Sequence, residues 1–541
     1  MSYLTRKAGL AVAARLIVAA GMLLLSFNVA SPVFAQTTAF MQTVALVAGK
    51  DKDIAAFYKA RDYKPIWTGY GDGARRRAFL EAATRAADHG LPVGRYDAAE
   101  LRRAFNTLHS SGDLGRLEVE TTRKFLQYAR DIHSGILEPN ALGRKDFNIK
   151  PPRPDRLKLL REFALAEPRA FLKSLPPQHP DYARLLKEKA RLEKIIADGG
   201  WGPEVHAKKL KLGSSGPEVA AFRLRLAAMG YKRLGISQEF NEVLEEAVKL
   251  FQIDQGLNSD GVAGGATLAA LNASPQTRLK QVIIGLERQR WINRPRGKRH
   301  IFVNQADFRA FVMDNGKVTL ETRVVVGKSP SRYRTPEFSD SMTHLVINPT
   351  WHVPESIALA EYLPMLRKDP NALRRQGIQI SDLDGNPIDP RRINFARVDE
   401  AEFPFHLSQP PGRGNALGRV KFMFPNKFNI YLHDTPSRHL FARDRRAYSH
   451  GCVRVHKPLE LAYTLLARQS DNPKRLFHRY LNMGEEVRVN LREPIPVHLV
   501  YHTAWVTPDG RPNYRLDTYG RDKRVFKALT RAGVVLQALQ G

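Results

Sequence analysis

The chain has 541 residues, a formal net charge of +31 and a single cysteine, Cys452. Cores seldom grow beyond about 250 to 300 residues, so the length excludes a single domain and implies several. A lone thiol excludes stapling by intrachain disulfides and is either a buried small hydrophobe or a reactive group, while the charge implies attraction to polyanions without naming one.

At the N-terminus Arg6, Lys7 and Arg15 precede an apolar run from Leu16 to about Val29, which is followed by a small-residue exit at Val33-Phe34-Ala35 before Gln36. This layout is that of a secretory signal over residues 1–35, cleaved after Ala35, and it places the mature chain in a periplasm. An uncleaved inner-membrane anchor is the alternative, although a span needs roughly 20 apolar residues. Outside the cytoplasm the polyanions within reach are cell-wall carboxylates and lipid phosphates, so no nucleic-acid partner is expected.

Residues 45–200 carry helical periodicity in runs such as "RRRAFLEAATRAADHG" and "TTRKFLQYARDIHSGILEP", punctuated by Gly and Pro, and read as a mostly helical scaffold without visible chemistry. After the break "DGGWGPEV", Val219, Phe222, Leu226 and Met229 fall on one helix face, Leu244, Val248 and Phe251 on another, and a short third helix follows. Residues 205–275 thus form a small three-helix module. Its phrases "LGSSGPEVAAFRLRL" and "FQIDQGLNSDGVAGGATLAALN" resemble the peptidoglycan-binding-like domain attached to wall enzymes; a plain spacer is the competing reading.

Beyond "NRPRGKRH" the period changes to two. Val318, Leu320, Thr322, Val324 and Val326 alternate with polar neighbours after the Asp314-Asn315-Gly316 turn, and further strands are expected at "HLVINPTW" and "FNIYLHD". Residues 298–495 read as a mainly-β domain, interrupted at about 354–404 by an insertion of the length of a lid or substrate wall. Residues 496–541 are expected to pack on that domain as a C-terminal extension. The fold class is multidomain α+β: mostly α N-terminal region, small three-helix module, mainly-β domain with an inserted lid.

In "FNIYLHD", Asn429, Tyr431 and His433 share one strand face, and Cys452 follows Gly451 ahead of the strand-like "VRV". A neighbouring imidazole raises the thiolate fraction of a cysteine, which makes Cys452 a candidate nucleophile and His433 its base. The glycine permits a tight turn, from which the backbone N–H groups of Cys452 and Gly451 would face an oxyanion. Arg454, facing the same way as Cys452, would hold a substrate carboxylate or favour the thiolate. Zinc bound by His433, His450 and Cys452 lacks a fourth ligand, so no metal is expected.

The phrase "HDT…SHGCVRV" resembles the active-site motif of the L,D-transpeptidases, and "RVVVGK", Thr335-Pro336, "INPTWHVP" and "PGRGNALGRVKFMFPN" precede it in that family's order. The likeness covers roughly residues 301–489 and is to the long, multidomain Gram-negative form. It implies Cys452 as nucleophile and His433 as base, with Ser449, His450, Gly451 and Arg454 completing the motif, Ser449 and His450 as substrate-binding residues. Trp351 and Tyr431 are implied as groove residues and 354–404 as a capping subdomain. Asp434 stands where many shorter members have glycine, which leaves its side chain or a backbone carbonyl to orient His433.

The activity so implied is cross-linking of the third residues of two peptidoglycan stem peptides, donor and acceptor, through a cysteine thioester, with no cofactor. Water, a free D-amino acid or a lipoprotein lysine as acceptor would make a carboxypeptidase, exchange or anchoring enzyme instead, and a non-catalytic wall-binding scaffold is the rival of another class. The resemblance also implies acylation by carbapenems. A monomer working beside other cell-wall synthesis proteins is expected.

Overall fold

The computed structural model describes residues 38–401 and 403–536. The expected signal segment, with its exit at Ala35, lies outside the described residues. Eight helices open the fold: α1 (Ala39–Ala48), α2 (Lys52–Lys59), α3 (Gly73–Thr84), α4 (Ala98–Thr107), α5 (Ser111–Ser134), α6 (Arg156–Leu165), α7 (Pro168–Ser174) and α8 (Pro180–Ala197). The Ser110 hydroxyl caps α5 by accepting from the Asp113 N–H, and Gly135, at φ +88°, ends it. Leu117, Phe125, Ala129 and Ile132 line the buried side of α5. Glu118, one turn from Thr122 on the same helix, is fully buried and accepts from Tyr58 Oη at 2.7 Å and from the Ile66 and Thr68 N–H groups at 2.6 and 2.9 Å. That carboxylate holds the "KPIW" loop, a stretch too irregular to place from periodicity.

Helices α9 (Pro217–Met229), α10 (Glu242–Gln255) and α11 (Gly265–Asn272) form the small module, whose core holds Val219, Phe222, Leu226, Leu244, Val248 and Phe251 as expected. Met229 instead sits half-buried between this core and that of the scaffold. The next helix, α12 (Pro275–Trp291), returns to the scaffold and packs on α5, α8 and the C-terminal helix Arg521–Arg531.

Beyond α12 the described residues hold fourteen strands with short helices between them: β1 (Arg299–Asn304), β2 (Arg309–Asp314), β3 (Lys317–Gly327), β4 (Phe338–Ile347), β5 (Trp351–His352), β6 (Gln379–Ser381), β7 (His406–Gln409), β8 (Val420–Met423), β9 (Leu432–His433), β10 (Ala447–Ser449), β11 (Val453–Val455), β12 (Val487–Val500), β13 (Ala504–Val506) and β14 (Pro512–Tyr514). Nine of them form a sheet in the order β10-β3-β11-β9-β8-β4-β12-β1-β2, and a further β2–β3 pairing closes it into a barrel. The β2–β3 hairpin turns at Asn315 and Gly316, both at positive φ (+48° and +79°), as a tight two-residue hairpin requires. The alternation along β3 is real but graded: Val324 and Val326 are fully buried, whereas Val318, next to the turn, is 52% exposed.

The lid has its own sheet, β5-β7-β6, and its own small core of Leu363, Leu366, Leu373, Ile380, Phe395 and Leu407. Because β5 and β7 belong to that sheet, the insertion spans 351–409, wider than the 354–404 expected from composition. A π turn, Ala358–Tyr362, joins its helical stretches Glu355–Ile357 and Leu363–Lys368.

The C-terminal boundary differs more. A cut after residue 495 would split β12, which pairs with β4 at its start and with β1 at its end. Ala504, Tyr514, Val525 and Leu529 then enter the scaffold core rather than the barrel, because α8 and α12 leave an apolar trough that these side chains fill. At the junction Arg288 on α12 donates to Glu337 at 2.6 and 2.7 Å, and Arg521 meets Glu337 at 3.5 Å and Asp146 at 3.2 Å, all buried.

Candidate active site

The site forms where β9, β11 and the turn between β10 and β11 meet the lid. β11 pairs with β9 in parallel, which places Arg454 opposite His433. The expected longer strand through "FNIYLHD" shrinks to Leu432–His433 because Asn429 takes a positive φ of +52°. Asn426 supports the bent approach, its side-chain amide donating to the Ile430 carbonyl at 2.7 Å. Even so, Asn429, Tyr431 and His433 all line one groove of about 1490 Å³ together with Trp351, Cys452 and Arg454. Trp351, at the start of the lid sheet, packs edge-on to Tyr362 at 6.2 Å.

The Cys452 Sγ lies on the groove floor, 3.6 Å from the Asn429 carbonyl oxygen. Burial pushes its pKa up to about 11, against the hydrogen bonding of Tyr431 and the charge of Arg454, which pull it down. His433 is buried, and burial followed by the Arg454 charge lowers it to about 3, so the imidazole is neutral. Its Nδ1–H donates to the Asp434 backbone carbonyl at 2.6 Å, which leaves Nε2 as the acceptor. The Asp434 carboxylate is committed elsewhere: Oδ2 accepts from the Arg419 N–H at 2.9 Å and Oδ1 from the Thr435 N–H at 2.7 Å. Of the two orienting groups open to sequence reasoning, the carbonyl makes the contact.

The turn carrying Cys452 is braced from within and from beneath. Gly451 sits at φ +123°, where a Cβ would stand 3.0 Å from Ile430 Cδ1. The Thr335 hydroxyl donates to the Gly451 carbonyl at 2.6 Å while accepting from the Gly327 N–H at 3.0 Å. Two expectations change here. The Ser449 hydroxyl donates to the Cys452 carbonyl at 2.5 Å and accepts from the Gly451 N–H at 3.2 Å, so Ser449 holds the turn rather than a ligand, and the Gly451 N–H is engaged rather than aimed at an oxyanion. The Cys452 N–H has no protein acceptor among the described residues.

His450, expected to face substrate, meets the lid: its Nε2 lies 2.5 Å from Glu361 Oε1, Lys328 Nζ stands 3.4 Å from the same oxygen, and Tyr333 packs edge-on to the imidazole at 4.8 Å. Glu361 lies in the π turn, 89 residues from His450, and nothing in its local sequence marks it. Arg454 forms no ion pair among the described residues, and its buried Nε lacks a partner. Among the described residues, no group of three or more His, Cys, Asp or Glu is gathered to hold a metal ion.

Comparison with known proteins accounts for this architecture. Residues 298–489 match the family model described as "L,D-transpeptidase catalytic domain", residues 215–271 that described as "Putative peptidoglycan binding domain", and residues 52–188 that of a "Scaffold domain". A protein of Haemophilus influenzae described as "Putative L,D-transpeptidase" is 35% identical over 240 residues, 44% of this chain and 48% of the relative, so the match spans about half the relative's length. Among solved structures, an L,D-transpeptidase from Xylanimonas cellulosilytica aligns at 17% identity over 55% of this chain and 100% of its own, with a TM-score of 0.17. One from Stackebrandtia nassauensis aligns at 14% identity over 55% of this chain and 96% of its own, with a TM-score of 0.22. The chain thus carries, at residues 298–489, a catalytic domain of the L,D-transpeptidase family, joined to a peptidoglycan-binding type of module.

Proposed function

We propose that the protein cross-links peptidoglycan by acyl transfer through Cys452. The observation that carries this reading is that the thiol, His433 with its free imidazole nitrogen and an unpaired Arg454 line one groove. Cys452 Sγ attacks the carbonyl carbon of the third residue of a donor stem while His433 Nε2 takes the thiol proton. The oxyanion is held by the Cys452 N–H, which stabilises charge only as the tetrahedral centre forms. Collapse breaks the peptide bond, His433 returns the proton to the leaving D-alanine amine, and a thioester remains. An acceptor amine then attacks the thioester carbonyl, giving up a proton to His433, and the thiolate leaves and is reprotonated. Arg454 holds a stem carboxylate by charge-assisted hydrogen bonds. These groups supply each role without a cofactor.

The lid, with Trp351 and Tyr362 over the groove, limits water access and so favours aminolysis over hydrolysis. A peptidoglycan substrate implies that the protein acts outside the cytoplasm, in keeping with the signal-like residues 1–35; among the described residues no helix is long and apolar enough to cross a membrane. The test is intact-mass spectrometry after incubation with a tetrapeptide-bearing muropeptide or a carbapenem. One adduct, absent in Cys452→Ala, followed by a dimeric product with the muropeptide, is the expected result. Cross-linked product from Cys452→Ala would overturn the assignment, and hydrolysed product alone would make the protein a carboxypeptidase.

A further inference from the structure

A second cavity, of about 220 Å³, lies away from the catalytic groove where the three-helix module meets the barrel. The loop after α10, from Gly256 to Ser259, forms one wall, and the other is basic: Arg309, Arg323, Arg443 and Arg446. Two acids are present. Asp307 is committed to Arg515 at 2.6 Å, and Arg309 is paired with Glu321. That leaves three guanidinium groups without an ion pair among the described residues, Arg323, Arg443 and Arg446, around one uncommitted carboxylate, Asp444.

Arg446 is the centre of this arrangement. It is 9% exposed, its Nη1 and Nη2 donate to the Arg443 and Phe308 carbonyls at 2.6 and 3.2 Å, and its buried Nε has no partner. A buried charge so placed is costly unless an anion completes it. Burial chiefly, with Arg309 and Arg323 adding to it against Asp307 and Asp444, lowers Arg446 to about 10. The cavity is also fixed in shape, since Arg515 bridges the domains by donating to the Asp254 carbonyl on α10 at 2.8 Å as well as to Asp307.

We infer that this cavity is an anion site for a carboxylate of a peptidoglycan stem peptide, held jointly by the module and the barrel and separate from the groove of Cys452. The ligand's identity rests on the peptidoglycan reading above; the anion chemistry rests on the arginines alone. The site would give the module a part in holding ligand at its seam with the barrel. It lies at the root of the nucleophile turn: the Arg446 carbonyl accepts from the Val326 N–H at 2.8 Å, and β10 runs from the next residue to Ser449.

The test uses the full chain with Cys452→Ala, titrated with a soluble disaccharide-tetrapeptide, with the same fragment after amidation of its carboxylates, and with inorganic phosphate. Hydrogen exchange should slow at residues 256–259 and 441–446 with the native fragment and not with the amidated one. Arg323→Gln combined with Arg443→Gln, both exposed side chains, should weaken binding about tenfold or more, a factor of ten being about 1.4 kcal/mol for the pair of contacts together. The same pair in the chain with intact Cys452 should leave carbapenem acylation unchanged. Unaltered affinity in the double variant, or protection confined to the catalytic groove, overturns the proposal. Phosphate binding as tightly as the fragment overturns the stem-carboxylate assignment. Loss of Cys452 acylation with retained protection at the arginines would instead remove the acyl-transfer reading and leave this site standing.

Discussion

In the resting protein Cys452 and His433 form a neutral pair, and the rate of thiol alkylation by iodoacetamide should therefore climb about tenfold per pH unit from about pH 6 to about pH 10. The reasoning is one of order: with the thiol pushed up to about 11 and the imidazole down to about 3, the imidazole cannot hold the thiol proton before substrate arrives. The thiolate fraction is then roughly 10⁻⁴ at about pH 7 and roughly 10⁻² at about pH 9, whereas an imidazolium–thiolate pair would stay near full ionisation across that range. Second-order rates are read by intact mass, with Cys452→Ala as the blank. His433→Ala should leave alkylation within about threefold yet slow acylation by a donor stem by roughly 10²–10⁴, because the proton moves only as the carbonyl is attacked. Hydrogen bonding by Tyr431 and, after it, the charge of Arg454 oppose burial and favour the thiolate. A rate that is flat below about pH 8 would refute the neutral pair and mean that Tyr431 and Arg454 together outweigh burial.

Asp434→Asn should keep acylation within a few-fold, since the backbone carbonyl and not the carboxylate orients His433, while lowering stability by about 1–3 kcal/mol in urea denaturation; a loss of acylation above about a hundredfold would return the side chain to that role. Gly418→Ala should destabilise by about 1–3 kcal/mol or more, because Gly418 sits at φ +64° and a Cβ there would stand 2.3 Å from Asp434 Oδ2; an unchanged melting temperature would refute it. Stability should fall on acidification. His433 and His502 are lowered to about 3 and His89 and His498 to about 4, so each folded pKa lies below the unfolded value, and the unfolded state binds the extra protons as pH drops below about 6.5. The loss is about 1.4 kcal/mol per pH unit for each histidine, until its folded pKa is reached; unfolding midpoints that hold steady from about pH 7 to about pH 5 would refute their burial as neutral rings.

Much of the design was legible in short stretches. The module's helix faces and the Asn315-Gly316 turn each depend on residues close in the chain, and periodicity reads those directly; Asn429, Tyr431 and His433 do reach one groove, but along a bent approach that Phe428 and Ile430 line as well, not by strand alternation. Partnerships across the chain were not. Glu361 and His450 meet 89 residues apart, and the hydroxyl of Ser449 turns inward because the Gly451 N–H and Cys452 carbonyl are nearer than any ligand. The boundary after residue 495 failed for the same reason: it falls inside β12, and only that strand's two partners, β4 and β1, reveal that the whole of it belongs to the barrel.

The C-terminal helix Arg521–Arg531, with Val534 and Leu536 just after it, completes a core that α1 begins among the described residues, and that ordering matters while the chain is being made. Between the end of α12 at Trp291 and Arg521 lie 229 residues, which at about 5–20 residues per second take roughly 10–50 s to synthesise. During that interval the earliest helices exist without the side chains of Val525 and Leu529 that fill their trough. A chain stopped between Val500 and Arg521 has every strand of the barrel and still leaves the helical core open. Premature termination therefore yields a product with a formed nucleophile turn on an unfinished support, and quality control by proteolysis has an exposed apolar trough to act on.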